Sequence, residues 1–152
     1  RNMISWKDVA YGNGGAVVAI ARDKSGKEVA VHRIETAGKA VALRIEAETP
    51  TDWKADGMDL QYINVTVIDK KGRPVWDYNE PLTLQMEGAA RLVALDNGDH
   101  YTDELFHGIT SKRMYLGRMQ IILRSDQEAG NVTVKISSAG LKGTLRLKTI
   151  KE

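Results

Sequence analysis

Between the polar turn Ala55-Asp56-Gly57-Met58-Asp59-Leu60 and the turn Asp69-Lys70-Lys71-Gly72 runs a stretch in which Ile63, Val65 and Val67 alternate with Tyr62, Asn64 and Thr66. A period of two places the branched residues on one side of an extended chain and the polar ones on the other, which is the pattern of a strand with one buried face. Nearly every other apolar run repeats this period and ends at Gly, Asn, Asp or Pro, and helical spacing is hard to find. The chain is therefore constrained to an all-β fold.

The same reading divides it. Trp6 to Tyr11, Ala16 to Asp23 and Glu28 to Ile34 read as three front strands separated by Gly-rich turns. The second of them is apolar on both faces, as a central strand covered on each side would be. Glu35-Thr36-Ala37-Gly38-Lys39-Ala40 is a polar connector, so the boundary is placed there: residues 1–40 form a partial β-domain and residues 41–152 a complete one. In the second part Leu43, Ile45 and Ala47 alternate with charged residues, and later strands are expected at 82–86, 91–95, 119–124, 132–136 and 144–148, with a short one over 113–116. About seven strands in about 110 residues, with turns at short intervals, match an immunoglobulin-like β-sandwich; a jelly roll or barrel fits the same period less well.

Composition removes several functions. Twenty-two basic and twenty acidic side chains leave a net charge of +2, so neither nucleic acid nor an anionic membrane is an expected partner. The absence of cysteine excludes a disulfide framework, a thiolate metal site and a thiol nucleophile. The chain begins at Arg1 in what reads as mid-protein sequence, so a piece of a longer protein is expected, with its compartment left open.

Few residues offer chemistry. Asp96, Asp99, Asp103 and Glu104 could supply the two carboxyls, about 5–5.5 Å apart, of a retaining glycosidase, but a solvated turn around Asn97-Gly98 explains them better. His100 and His107 lack zinc spacing, and Asp96 to His100 lacks the alternating oxygen ligands of a calcium loop, so no metal and no cofactor is expected. No serine sits in a nucleophile elbow. Asn64-Val65-Thr66 and Asn131-Val132-Thr133 fit the glycosylation pattern but lie within strands. The aromatic residues give the one binding alternative. Trp76-Asp77-Tyr78-Asn79-Glu80 puts two rings and three hydrogen-bonding side chains in one loop, so Trp76 and Tyr78, with Trp53 in a second loop and Tyr101 in a third, are candidate carbohydrate-binding residues. The competing reading has Trp53 and Trp76 closing the ends of the sandwich.

The order of the turn motifs is itself distinctive. Ala55-Asp56-Gly57-x-Asp59-Leu60, Val65-x-Val67-x-Asp69-x-x-Gly72, Leu95-Asp96-Asn97-Gly98-Asp99, and Ala129-Gly130 with Ser138-Ala139-Gly140-Leu141 resemble the C-terminal immunoglobulin-like domain of glycoside hydrolase family 2 β-galactosidases. Trp6-x-x-x-x-Tyr11-x-x-Gly14, Ala19-x-Ala21, Gly26-Lys27-Glu28-Val29 and Thr36-Ala37-Gly38 resemble the second half of the β-domain that precedes it there. The resemblance implies a non-catalytic C-terminal fragment of a bacterial, exo-acting, retaining enzyme whose two glutamates reside on a separate (β/α)8 barrel; no position of this chain matches them. It further implies partners among the other domains of that parent, which is compatible with a periplasmic or secreted location. The truncated front strands are expected to fold onto the sandwich or to pair across a homodimer. A glycan partner through the loop aromatics and an adhesin-type spacer are the alternatives.

Overall fold

A computed structural model describes residues 4–9 and 14–151, and among these there is no helix. The chain divides into two compact units, Arg1–Ala37 and Gly38–Glu152.

The first unit is built on one antiparallel hairpin, β1 (Ala16–Arg22) and β2 (Glu28–Glu35), in which Ala16 lies opposite Glu35 and Ala21 opposite Ala30. Its turn forms because the Asp23 carboxylate accepts the Ser25 and Lys27 N–H groups at 2.8 and 3.1 Å, while Gly26 takes the left-handed conformation. Among the described residues β1 pairs with β2 alone, and Val17, Val18, Ile20, Val29, Val31 and Ile34 are all exposed. The third front strand expected over Trp6 to Tyr11 is not formed across Trp6–Val9: Asp8 turns left-handed at φ 56°, which breaks an extended run. Ala10 and Tyr11 lie outside the described residues.

The second unit carries eight strands: β3 (Ala42–Ala47), β4 (Leu60–Ile68), β5 (Pro81–Gly88), β6 (Ala90–Asp96), β7 (Ser111–Arg113), β8 (Arg118–Ser125), β9 (Asn131–Ser138) and β10 (Leu141–Lys148). They form two four-stranded antiparallel sheets, ordered β3-β4-β8-β6 and β10-β9-β5-β7. Numbering these strands as in an immunoglobulin domain, the first sheet has the ABED order and β10-β9-β5 the GFC order, so the fold is an immunoglobulin-like sandwich in which β7 is added between D and E. The short strand expected over 113–116 is displaced to Ser111–Arg113, because Leu116 and Gly117 have φ of 50° and 66° and turn the chain back.

The core follows from the alternation. Along β4 every second residue from Gln61 to Asp69 is buried, and Met119, Ile121 and Leu123 of β8 do the same beside it. Leu82 and Leu84 of β5, with Val132, Val134 and Ile136 of β9, close the core from the other sheet. Each fully buried aliphatic chain contributes roughly 1.5–3 kcal/mol of burial free energy.

Asp69 ends β4 and fixes where the chain enters the sandwich. Its Oδ2 accepts the Gly38 N–H at 2.8 Å and the Arg73 guanidinium at 2.7–2.8 Å; its Oδ1 accepts the N–H groups of Lys71 and Arg73 at 2.8 and 3.0 Å. The Gly38 N–H foremost, with Arg73 and the other turn amides, holds this carboxyl well below its ordinary value of 3.8, against the opposing effect of burial. A depressed folded-state value means that the stabilisation is complete above pH 3.8 and fades as the pH falls below it. Asp69→Asn is therefore expected to lower the melting temperature at neutral pH, with the gap to the native chain narrowing below that pH; a gap constant from pH 7 to pH 2 would contradict the role.

Candidate functional site

Three connections meet at the end of the sandwich where β4 finishes and β8 starts: Val75–Glu80 leading into β5, the loop 97–110 between β6 and β7, and the turn 115–118. Backbone bonds join the first and the third. Gly117 receives Val67 N–H at its carbonyl and donates to Tyr78 O, both at 2.8 Å, and a Cβ at Gly117 would stand 2.2 Å from Val75 O, so only glycine lets the turn lie this close.

Tyr115-Leu116-Gly117-Arg118 is a two-residue hairpin turn with both central residues left-handed, held by Arg118 N–H to Tyr115 O at 3.0 Å. Such turns favour Asn, Asp or Gly first; here the residue is an exposed leucine. Leu116→Asn, which tolerates that backbone, is expected to stabilise the protein by about 1 kcal/mol, read as a melting temperature higher by a few degrees. An unchanged or lower melting temperature would show that the leucine makes a contact worth more than the strain.

Of the four aromatic candidates, Trp76, Tyr78 and Trp53 do not converge, and Tyr101 lies in the loop 97–110. Trp76 is at this end, 47% exposed, with the Arg118 guanidinium 4.4 Å from its ring centroid, so one face of the indole already carries a cation. Tyr78 is half-buried, its hydroxyl 2.8 Å from Ser138 Oγ. Because Ser138 Oγ gives its one proton to Pro81 O at 2.8 Å, Tyr78 is the donor, and the phenol pins the segment to β9. Trp53 is at the other end of β4, roughly 27 Å away along nine residues. It is fully buried, with Nε1 donating to Asp59 O at 3.1 Å. It closes that end of the core and presents no face to a ligand.

The Asp-Gly turn beside Trp53 is explained by the same contacts. Asp56 Oδ1 accepts the N–H groups of Met58 and Asp59, both at 2.7 Å, which lowers its pKa, and Asp59 Oδ2 accepts Lys54 N–H at 2.8 Å. Both carboxylates thus shape the lid over the indole.

The loop 97–110 holds the residues that sequence considered for chemistry. Asp96 accepts Gly98 N–H at 2.8 Å, Asn97 accepts Asp99 N–H at 3.1 Å, Asp99 accepts Tyr101 N–H at 3.0 Å and Glu104 accepts Arg113 N–H at 3.3 Å. Asp96, Asn97 and Asp99 build successive turns, while Glu104 reaches across to β7. Beneath the loop lies Lys112, which sequence reasoning did not single out: fully buried, it donates to Glu104 O and Leu105 O at 3.1 Å each and sits 4.2 Å from the Phe106 ring centroid. Nothing in Ser111-Lys112-Arg113, polar throughout, signals which of the three points inward. Among the described residues no three His, Asp or Glu side chains converge to hold a metal ion.

Above the loop is an open groove of about 620 Å³, lined among others by Tyr101, Tyr115, Asn79, Asp99, Asp103 and Arg113. A second, of similar volume, lies at the opposite end near Arg91 and Arg124, where Arg91 pairs with Asp126 at 2.8 Å.

The region from β3 into β10, residues 43–145, matches the model of glycoside hydrolase family 2 C-terminal domain 5. The chain belongs to this family. A β-galactosidase of Bacteroides ovatus, BoGH2A, is 32% identical over 84% of the chain and 15% of its own length, and a β-glucuronidase of Formosa agariphila is 31% identical over 71% and 11%. A solved glycosyl hydrolase family 2 member from Bacteroides cellulosilyticus superposes with a TM-score of 0.85 at 28% identity, covering 94% of this chain and 18% of that one. The chain thus spans under a fifth of the length of these glycoside hydrolase family 2 relatives, and its sandwich is their C-terminal domain type.

Proposed function

We propose that this chain is a non-catalytic C-terminal part of a retaining, β-galactosidase-type glycosidase, supporting the catalytic barrel or a subunit contact while doing no chemistry itself. The observation that carries this reading is the family match across β3–β10 by a chain that covers only 15% of the β-galactosidase relative. The use of Asp96 and Asp99 as turn builders, and of Glu104 as a tie to β7, agrees with it. Two measurements test it. The isolated chain should not hydrolyse aryl β-galactosides, and deleting residues 38–152 from the parent should lower its thermal stability or change its assembly. Turnover by the isolated chain, or a parent unaffected by the deletion, would overturn the proposal.

Residues 1–40 are proposed to be the last strands of a preceding immunoglobulin-like domain. The apolar side chains exposed on both faces of the β1–β2 hairpin support this, because a two-stranded ribbon cannot bury them unaided. In the isolated chain the same edges favour pairing between copies. Light scattering is expected to give a dimer for the full chain and a monomer for residues 38–152, whereas a strictly monomeric full chain would count against the pairing.

The second reading is a glycan contact at the Trp76 end, favoured by the exposure of that indole. Tyr78 would act there by holding the segment, and Trp53 takes no part.

A further inference from the structure

The Tyr101 side chain is 97% exposed, although the loop that carries it is tied to the sandwich at several points. Asn97 is buried and donates to Arg113 O at 2.9 Å, Leu95 N–H donates to Phe106 O at 2.7 Å, Thr102 Oγ1 accepts Glu104 N–H at 3.2 Å, and Lys112 holds two carbonyls from below. A ring in open water gains nothing for folding, and a loop this tethered does not need it.

Across the groove from the loop stands Tyr115, also exposed, and between the two lie side chains with unused hydrogen-bonding capacity. The Asp103 carboxylate takes no hydrogen bond from the described residues. Asn79 uses its Oδ1 for Leu116 N–H at 3.2 Å and leaves its amide N–H groups free, and neither phenol is engaged. The volume of about 620 Å³ falls within the roughly 300–1,000 Å³ range of small-molecule sites.

We propose that this groove is a saccharide-binding subsite for neutral glycans, with Tyr101 and Tyr115 packing against pyranose C–H faces and Asp103 and Asn79 bonding ring hydroxyls. Flat rings beside acceptors suit a sugar, whose faces are apolar and whose rim is a belt of hydroxyl donors. The charge balance selects the class. Asp99, Asp103 and Glu104 line the groove against the guanidinium of Arg113, and the Lys112 ammonium stands 3.9 Å from Glu104 alone, so Asp99 and Asp103 leave the lining net negative and a uronic acid carboxylate would be repelled. The inference deepens the glycan-contact reading above by moving the contact from Trp76 to this groove, and it is independent of the scaffold role.

The test is a titration of the isotope-labelled 152-residue chain, followed by amide chemical shifts, with a neutral β-galactoside trisaccharide and with a uronic-acid-terminated trisaccharide of the same linkage. Neutral glycan should shift the amides of Asp99, Tyr101, Asp103 and Tyr115 with a Kd of about 1–10 mM, and the acidic one should bind about tenfold more weakly. Tyr101→Ala, at a site too exposed to affect folding, should abolish the shifts with an unchanged melting temperature, and Asp103→Asn should weaken binding several-fold. No shifts with neutral glycan, equal binding of the acidic glycan, or binding that survives Tyr101→Ala would overturn the proposal. Shifts confined to Trp76 and Arg118 would overturn the groove while leaving the glycan-contact reading intact.

Discussion

Trp53→Ala is expected to destabilise the sandwich by about 3–5 kcal/mol. The indole heads the fully buried side chains, and the surrounding backbone is tied in two directions. Ala55 N–H donates to Ile150 O at 2.8 Å and Ile150 N–H to Trp53 O at 2.9 Å, while the Asp56-Gly57 turn closes from the other side. A frame held this way cannot collapse into the space that the ring leaves, so the cavity persists and adds to the lost transfer energy. Trp53→Phe keeps most of the volume and removes only the N–H to Asp59 O, whose carbonyl still receives Ser125 N–H at 3.0 Å, so a loss of about 1–2 kcal/mol is expected. Denaturant unfolding of the three proteins measures both. An alanine variant within about 1 kcal/mol of the native chain would remove Trp53 from the core account.

Lys112→Met should open the 97–110 loop while leaving both sheets formed. Methionine matches the length of the stem and supplies no donor, so the carbonyls of Glu104 and Leu105 lose their partner in a buried position. The loss is about 2–3 kcal/mol for a charged hydrogen-bonding group. It should concentrate in amide exchange, which is expected to rise by about a hundredfold at residues 98–108 and little in β4 and β8. Unchanged exchange in the loop would mean that the turns formed by Asn97, Asp99 and Thr102 suffice to hold it.

What could be read from the sequence was whatever repeats along the chain. β4 was legible because one face is buried and the other wet, so period two is written directly into Ile63, Val65 and Val67. The family motifs were legible as turns because an aspartate at such a turn binds amides two or three residues ahead, as Asp56 and Asp69 do. What could not be read depends on partners far along the chain. Tyr78 looked like a loop aromatic, and its role is set by Ser138, sixty positions later. For Trp53 the sequence offered two readings, a ligand-facing ring or a cap on the end of the sandwich, and its burial agrees with the cap. Lys112 carries no local mark at all. The groove at Tyr101 was half visible: the ring was noted, but its companion Tyr115 arrives through a turn that alternation had assigned to a strand.

The chain enters the sandwich at Gly38, bound to Asp69 at one end of β4, and reaches Ile150, bridged to Lys54, at the other. β3 leads inward from the first point and β10 outward to the second, each at the edge of its own sheet. Tension applied between these points would draw both edge strands lengthwise, so that the rungs of the β3–β4 and β10–β9 ladders bear the load together and none opens before its neighbours. Pulled along this axis, the domain is a shear-loaded link, mechanically stiffer than its equilibrium stability alone would suggest.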